Sequence, residues 1–195
     1  MEKRGDPRRV RRGHGRPESQ GTQTPLRGQT ALSAFCYAGA VASPHFDDRP
    51  AGIAIDTVVL HATVLNSLDE VIAHFENPDT KVSAHYTIDR DGTIVPHVPE
   101  DKRAWHAGQS RMQDGRTGVN DFSIGIELVN LNDGFDPFPE YQIQAMRELV
   151  KEIIARHPIQ HIVTHYECAD PPGRKSDPNG FQPSWIEGLD CPRSP

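Results

Sequence analysis

His61 and His165 each close an apolar, β-type run, Val58-Val59-Leu60-His61 and Ile162-Val163-Thr164-His165. Glu127 lies inside a third such run, Ser123-Ile124-Gly125-Ile126-Glu127-Leu128-Val129. A carboxylate there is costly unless it is paired, hydrogen-bonded or near a metal. A further acid, Asp177, follows the second histidine in Arg174-Lys175-Ser176-Asp177-Pro178. Two strand-end imidazoles, a carboxylate and a nearby buried acid are the parts of a hydrolytic zinc site. Taken singly, each has a plainer reading. A strand-end histidine is more often a satisfied polar group than a ligand, Asp before Pro is ordinary turn chemistry, and Lys175 alone is a solvated charge. The combination carries the argument, because active sites of α/β sheets collect at the C-terminal ends of strands.

The elements that must position these residues can be read from periodicity. Ile53 to Leu60 alternates and then runs apolar, a strand delivering His61. Ser67 caps a short helix with Glu70 three residues on as a capping box, Leu68, Val71, Ile72 and Phe75 fall on one face, and Asn77-Pro78 ends it. Val82–Ile88 and Thr93–Val98 flank Asp89-Arg90-Asp91-Gly92, a hairpin turn. Residues 107–121 read as a long surface loop, of a length that is often functional. Pro139 to His157 is the clearest helix, with Ile143, Met146, Val150, Ile153 and Ile154 on one stripe, Pro139 at its start and Pro158 at its stop. Ile159 to Thr164 is the strand before His165, and Ser184–Glu187 a final helical turn. Strands interleaved with helices predict an α/β fold, and the hairpin predicts a central mixed β-sheet flanked by helices.

Composition bounds the partners. The 195 residues suit one domain, taken as 51–190, after a basic low-complexity segment at 1–50. Residues 1–50 carry nine Lys/Arg and five Asp/Glu, a balance of +4, whereas residues 51–195 carry twelve and twenty-two, a balance of −10. An acidic domain argues against nucleic acid as the main partner. No apolar stretch reaches about 18 residues, so no transmembrane helix is expected. The run Lys3, Arg4, Arg8, Arg9, Arg11, Arg12 and Arg16 precedes a short apolar stretch ending Ala40-Val41-Ala42. That order resembles a signal peptide with an A-x-A cleavage site, and the same composition suits a disordered basic tail. Cys36, Cys168 and Cys191 are an odd set; a Cys168–Cys191 bridge and free thiols both stay open.

Several segments, in order, resemble one family. These are Val58-Val59-Leu60-His61, Val82-Ser83-Ala84-His85-Tyr86, Arg90-Asp91-Gly92, Trp105-His106-Ala107-Gly108, Asn120 to Leu128, Phe138 to Ala145 and Pro172-Gly173-Arg174-Lys175-Ser176-Asp177-Pro178. From about Ile55 to Trp185 the chain is similar to the zinc-dependent N-acetylmuramoyl-L-alanine amidases of the AmpD and AmiD type, relatives of phage lysozyme-type amidases and peptidoglycan recognition proteins. The resemblance implies that fold, one Zn²⁺ per chain held by His61, His165 and Asp177, Glu127 as general base and Lys175 as stabiliser of the oxyanion. It places Trp105, His106, Ala107 and Arg174 on the substrate side, with peptidoglycan fragments or muropeptides as partners and cleavage between N-acetylmuramic acid, or its 1,6-anhydro form, and L-alanine.

Two departures stand out. His165 and Asp177 are twelve positions apart, which suggests an insertion of about two residues at Ala169-Asp170-Pro171-Pro172, and Ala84 stands where the phage-type relatives carry a catalytic tyrosine. Cys168, three residues after His165, is an alternative ligand by spacing; a small buried residue is its other reading. His85 is expected in the core or behind the site. The alternative to an enzyme is a non-catalytic peptidoglycan-binding module on the same fold, which loss of a ligand or of Glu127 would mark. The expected oligomeric state is a monomer, and the expected location leans to the bacterial envelope, with the cytoplasm as alternative.

Overall fold

The computed structural model describes residues 38–189, in the order β1 (Phe46–Asp48), β2 (Thr57–Ala62), α1 (Leu68–Glu76), β3 (Tyr86–Ile88), β4 (Ile94–Pro96), β5 (Lys102–Ala104), β6 (Ser123–Leu128), α2 (Glu140–Arg156), β7 (His161–Thr164) and α3 (His165–Cys168). One sheet has the order β4-β3-β6-β2-β7, with only the β3–β4 hairpin antiparallel; β1 and β5 form a separate antiparallel pair. The expected mixed sheet is therefore present. No helix among the described residues is long and apolar enough to cross a membrane.

Strand alternation decides which side chains reach the site. Val58 and Leu60 of β2 and Ile124, Ile126 and Leu128 of β6 are buried in one cluster with Ile143, Met146, Leu149, Val150 and Ile153 of α2. Val59 and His61, and Ser123, Gly125 and Glu127, therefore point to the opposite face. Both faces of these central strands are covered, which is why the runs read as continuously apolar. Gln142 ties α2 to the sheet, its Nε2 donating to the carbonyls of Ile88 and Val129 at 3.0 and 3.1 Å. Gly92 takes φ +90° in the hairpin turn, and a Cβ there would lie 3.0 Å from the Tyr141 carbonyl, so only glycine lets the turn pack against α2.

Several boundaries differ from expectation. Ser67 caps α1 and accepts from the Glu70 N–H, but the Glu70 carboxylate accepts from Asn66 N–H, one residue before the position a capping box requires. The expected helical turn near Ser184 is a 3₁₀ turn at Pro183–Trp185. The domain begins before residue 51. Ala38, Val41 and Ser43 donate to the carbonyls of Ile94, Pro96 and His97, and β1 pairs with β5. The half-buried Arg49 explains this: its guanidinium donates to the carbonyls of Glu100, Asn120, Asp121 and Ser123 at 2.7–3.0 Å. Residues 1–37 and Cys191 lie outside the described residues, and with them the Cys168–Cys191 bridge and the signal-peptide reading up to its Ala40-Val41-Ala42 end.

Glu100 joins the hairpin side to the end of α2. Its carboxylate accepts from Tyr86 Oη at 2.8 Å, Arg156 Nη2 at 2.8 Å and His157 Nε2 at 2.6 Å. Burial alone would raise its pKa, but these donors overcome it and hold the group at about 2, against an ordinary 4.5. A depressed carboxylate contributes stability above its unfolded pKa, and that contribution fades as pH falls from about 4.5 towards 2. Glu100→Gln should accordingly cost on the order of 2 kcal/mol at neutral pH and flatten the acid dependence. Thermal midpoints across that pH window check this; parallel curves for the two proteins would contradict it.

Candidate active site

The parallel register of β2 and β6 sets His61 beside Glu127. β7 lies on the other side of β2 with Thr164 against Leu60, so His165, the next residue, emerges beside His61 as the first residue of α3. Thr164 holds that exit in a complete capping box with Glu167, whose carboxylate accepts from Thr164 N–H at 2.7 Å. Asp177 is brought back by its own carbonyl, which accepts from Tyr166 N–H at 2.9 Å. The stretch between them is pinned by Asp170 N–H donating to the Gln109 carbonyl and by Arg111 N–H donating to that of Cys168. The stretch between His165 and Asp177 is thus an anchored loop that brings Asp177 to the histidines.

His61 Nδ1 and His165 Nδ1 are 3.0 Å apart, and Asp177 Oδ2 is 3.0 Å from His165 Nδ1 and 3.4 Å from His61 Nδ1. All three residues are buried, and their ligand atoms lie within 4.8 Å of one another, a group that can hold a metal ion. The far nitrogen of His165 tests the fit. Nε2 lies 3.2 Å from the Ala107 carbonyl oxygen, which can only accept, so Nε2 carries the hydrogen and Nδ1 presents its lone pair to the Asp177 carboxylate. Two acceptors face each other there, and a cation relieves the repulsion. Neutral imidazole nitrogens with one carboxylate oxygen form a donor set that zinc accepts. Burial pushes His61 down to about 4, which keeps it neutral as ligation requires.

Glu127 completes the group. Burial first, then the Asp177 charge, push its pKa up to about 8, with Lys175 opposing. Its Oε2 is buried and has no hydrogen-bond partner among the described residues. A desolvated acid with a free oxygen beside a metal-capable cluster is poised for proton transfer. Lys175 is exposed and lines the same cleft as His61, Glu127, His165 and Asp177. Trp105 lines it too, and Val64, Leu65, Val71, Phe75 and Val82 form an apolar wall. Val71 and Phe75 read as core from sequence; they serve core and groove together.

Of the expected substrate-side residues, His106 also lines the cleft, whereas Ala107 and Arg174 brace the backbone beside it. Ala107 is fully buried with Val59, Val119 and Cys168, and its carbonyl accepts from His165 and from Arg174 Nη2 at 2.9 Å. The Arg174 guanidinium also donates to the carbonyls of Gln109 and Asp170, so it braces the loop that carries Asp177. The His106 ring is buried, with both nitrogens engaged by His61 and Ser123. Cys168 is a small buried residue outside the metal-capable group. Ser123 and Gly125 were missed as parts of the site; their period-two spacing from Glu127 was the available signal.

A His–His–Asp cluster with a half-buried acid beside it, at the ends of parallel strands, is the equipment of metal-assisted hydrolysis. Residues 51–180 match the N-acetylmuramoyl-L-alanine amidase family, and the chain belongs to it. It is 38% identical over 157 residues to the 1,6-anhydro-N-acetylmuramyl-L-alanine amidase AmpD of Salmonella typhimurium strain SL1344, covering 71% of this chain and 81% of that protein. It is also 38% identical over 145 residues to the N-acetylmuramoyl-L-alanine amidase AmiD of Escherichia coli, covering 66% of this chain and 50% of that one. Among solved structures, an AmpD selenomethionine derivative superposes with a TM-score of 0.68 at 33% identity, over 82% of this chain and 96% of that one. The complex of E. coli AmiD with anhydro-N-acetylmuramic acid-L-Ala-D-γ-Glu-L-Lys gives 0.58 at 34% identity, over 69% and 61%.

Proposed function

We propose that the chain is a zinc amidase that hydrolyses the amide between the lactyl carbonyl of N-acetylmuramic acid, or its 1,6-anhydro form, and the amine of L-alanine. The convergence of His61 Nδ1, His165 Nδ1 and Asp177 Oδ2 beside the unpartnered Glu127 Oε2 carries this reading. The substrate class is supported by the relatives: AmpD is named for the anhydro sugar, and AmiD was solved with an anhydro-muramyl peptide.

His61, His165 and Asp177 would hold the zinc, which as a Lewis acid polarises an amide carbonyl and brings the pKa of water to about 7. Three protein ligands leave a position for catalysis, as structural zinc sites do not. Glu127 takes a proton from the attacking water and returns it to the departing amine of L-alanine. The Lys175 ammonium, at the cleft surface, meets the negative charge that develops on the carbonyl oxygen. Trp105 and the apolar wall exclude water and hold the substrate's carbon-rich surfaces.

Lys175→Ala should lower kcat by about 10²–10³-fold with metal content unchanged, and a near-normal kcat would remove Lys175 from that role. The reaction itself is tested by incubating zinc-loaded protein with a synthetic anhydro-muropeptide and labelling new amines. Release of a peptide with a free L-alanine amino group supports the amidase. Tight binding without release would favour the non-catalytic module.

A further inference from the structure

We infer that His106 and Ser123 form a proton-ordered relay that sets the tautomer and heading of His61, so that His106 is a positioning residue for the metal-ligating face. The inference rests on the zinc reading above and extends it to residues that do not touch the metal.

The order of the relay follows from its far end. The Val119 carbonyl can only accept, so Ser123 Oγ, 2.6 Å away, donates its hydrogen there. Ser123 Oγ then offers lone pairs to His106 Nε2 at 3.1 Å, which must carry the hydrogen and donate. A neutral ring protonated on Nε2 has a bare Nδ1, and His106 Nδ1 lies 3.0 Å from His61 Nε2. His61 Nε2 is therefore the donor, and its Nδ1 keeps a lone pair. That nitrogen is the one 3.0 Å from His165 Nδ1 and 3.4 Å from Asp177 Oδ2. Read backwards, one backbone carbonyl in the 119–121 turn dictates which nitrogen of His61 can hold a metal. The ligand His165 reaches the same tautomer through a separate acceptor, the Ala107 carbonyl.

The surrounding chain makes room for the ring and fixes it. A Cβ on Gly125 would lie 2.5 Å from His106 Cγ and 2.7 Å from Cδ2, closer than side chains approach. Glycine at this one strand position lets the imidazole lie against β6 between Ser123 and Glu127. The backbone on both sides of His106 is tied down: Trp105 N–H donates to Ser83 Oγ at 2.9 Å and Ala107 N–H to Asn120 Oδ1 at 2.8 Å. These bonds fix the backbone from which the ring projects, and the contacts to His61 and Ser123 hold the ring itself. Such partners of ligating histidines commonly govern metal affinity by 10–100-fold.

The test uses the full chain. Zinc affinity is measured by chelator competition for the wild type, His106→Phe and His106→Asn. Phe keeps a ring but leaves His61 Nε2–H unpaired; Asn restores an acceptor near the Nδ1 position. Zinc binding should weaken about 10–100-fold in His106→Phe and recover most of that loss in His106→Asn, although neither side chain repeats the bond to Ser123. A purely structural histidine would lower the thermal midpoint of both variants and leave zinc affinity unmoved, and that result would overturn the inference. Should a variant fail to fold, long-range ¹H–¹⁵N correlation of metal-free wild-type protein decides instead. Both His61 and His106 should appear protonated on Nε2; protonation of either on Nδ1 would overturn the relay. Wild-type protein that bound no zinc would strike the zinc reading alone, because the tautomers are read without metal.

Discussion

Glu127→Gln is expected to lower kcat by about 10²–10⁴-fold, the usual worth of a general acid–base group, while zinc stays stoichiometric and the fold intact. The amide keeps the size of the carboxyl and can still donate or accept a hydrogen bond, but it cannot take a proton from water. The Glu127 Oε2 has no hydrogen-bond partner among the described residues to lose, so the isosteric amide should not destabilise the fold. The strand position reinforces this: Glu127 points away from the α2 core, and its neighbours Ile126 and Leu128 carry the packing. Metal analysis and thermal midpoints accompany the kinetics. A variant retaining full turnover would remove Glu127 as the base; one that lost zinc as well would make it a ligand.

His61→Ala is expected to lose metal and activity together. The side chain supplies one of three ligand atoms, and two ligands seldom hold zinc at cellular concentrations. The change also leaves His106 Nδ1 without its donor in a buried site, where an unsatisfied polar group costs about 1–3 kcal/mol. The metal-free variant should therefore unfold at a lower temperature than metal-free wild type. Stoichiometric zinc in this variant would exclude His61 from the ligand set.

Much of this architecture was legible in local pattern. The runs ending at His61 and His165 and the run containing Glu127 are strands, and the register of β2 with β6 and β7 turns their spacing into proximity. The α2 stripe and the Asp91-Gly92 turn also follow from local periodicity and turn chemistry. What was not legible depends on partners far along the chain. Residues 38–50 carry no strong period and join the domain through Arg49, whose acceptors are carbonyls 51 to 74 positions away. His106 sits in a segment resembling a substrate-side motif, yet its partners, His61 and Ser123, are 45 and 17 positions distant. Glu70 fits a capping box by spacing, but the Asn66 N–H lies within reach of its carboxylate and takes it. Spacing names the residue types available, whereas the packed chain decides which donor each acceptor meets.

The central claim is that this chain cuts the muramyl–L-alanine amide and needs zinc to do so. Mass spectrometry of a muramyl-peptide digest tests it most directly, run with protein as purified, after chelation, and after zinc is restored. The account predicts free peptides beginning with L-alanine, abolished by the chelator and returned by zinc. Intact muropeptides after incubation with zinc-loaded protein would contradict it, as would cleavage that continued undiminished in the chelated sample.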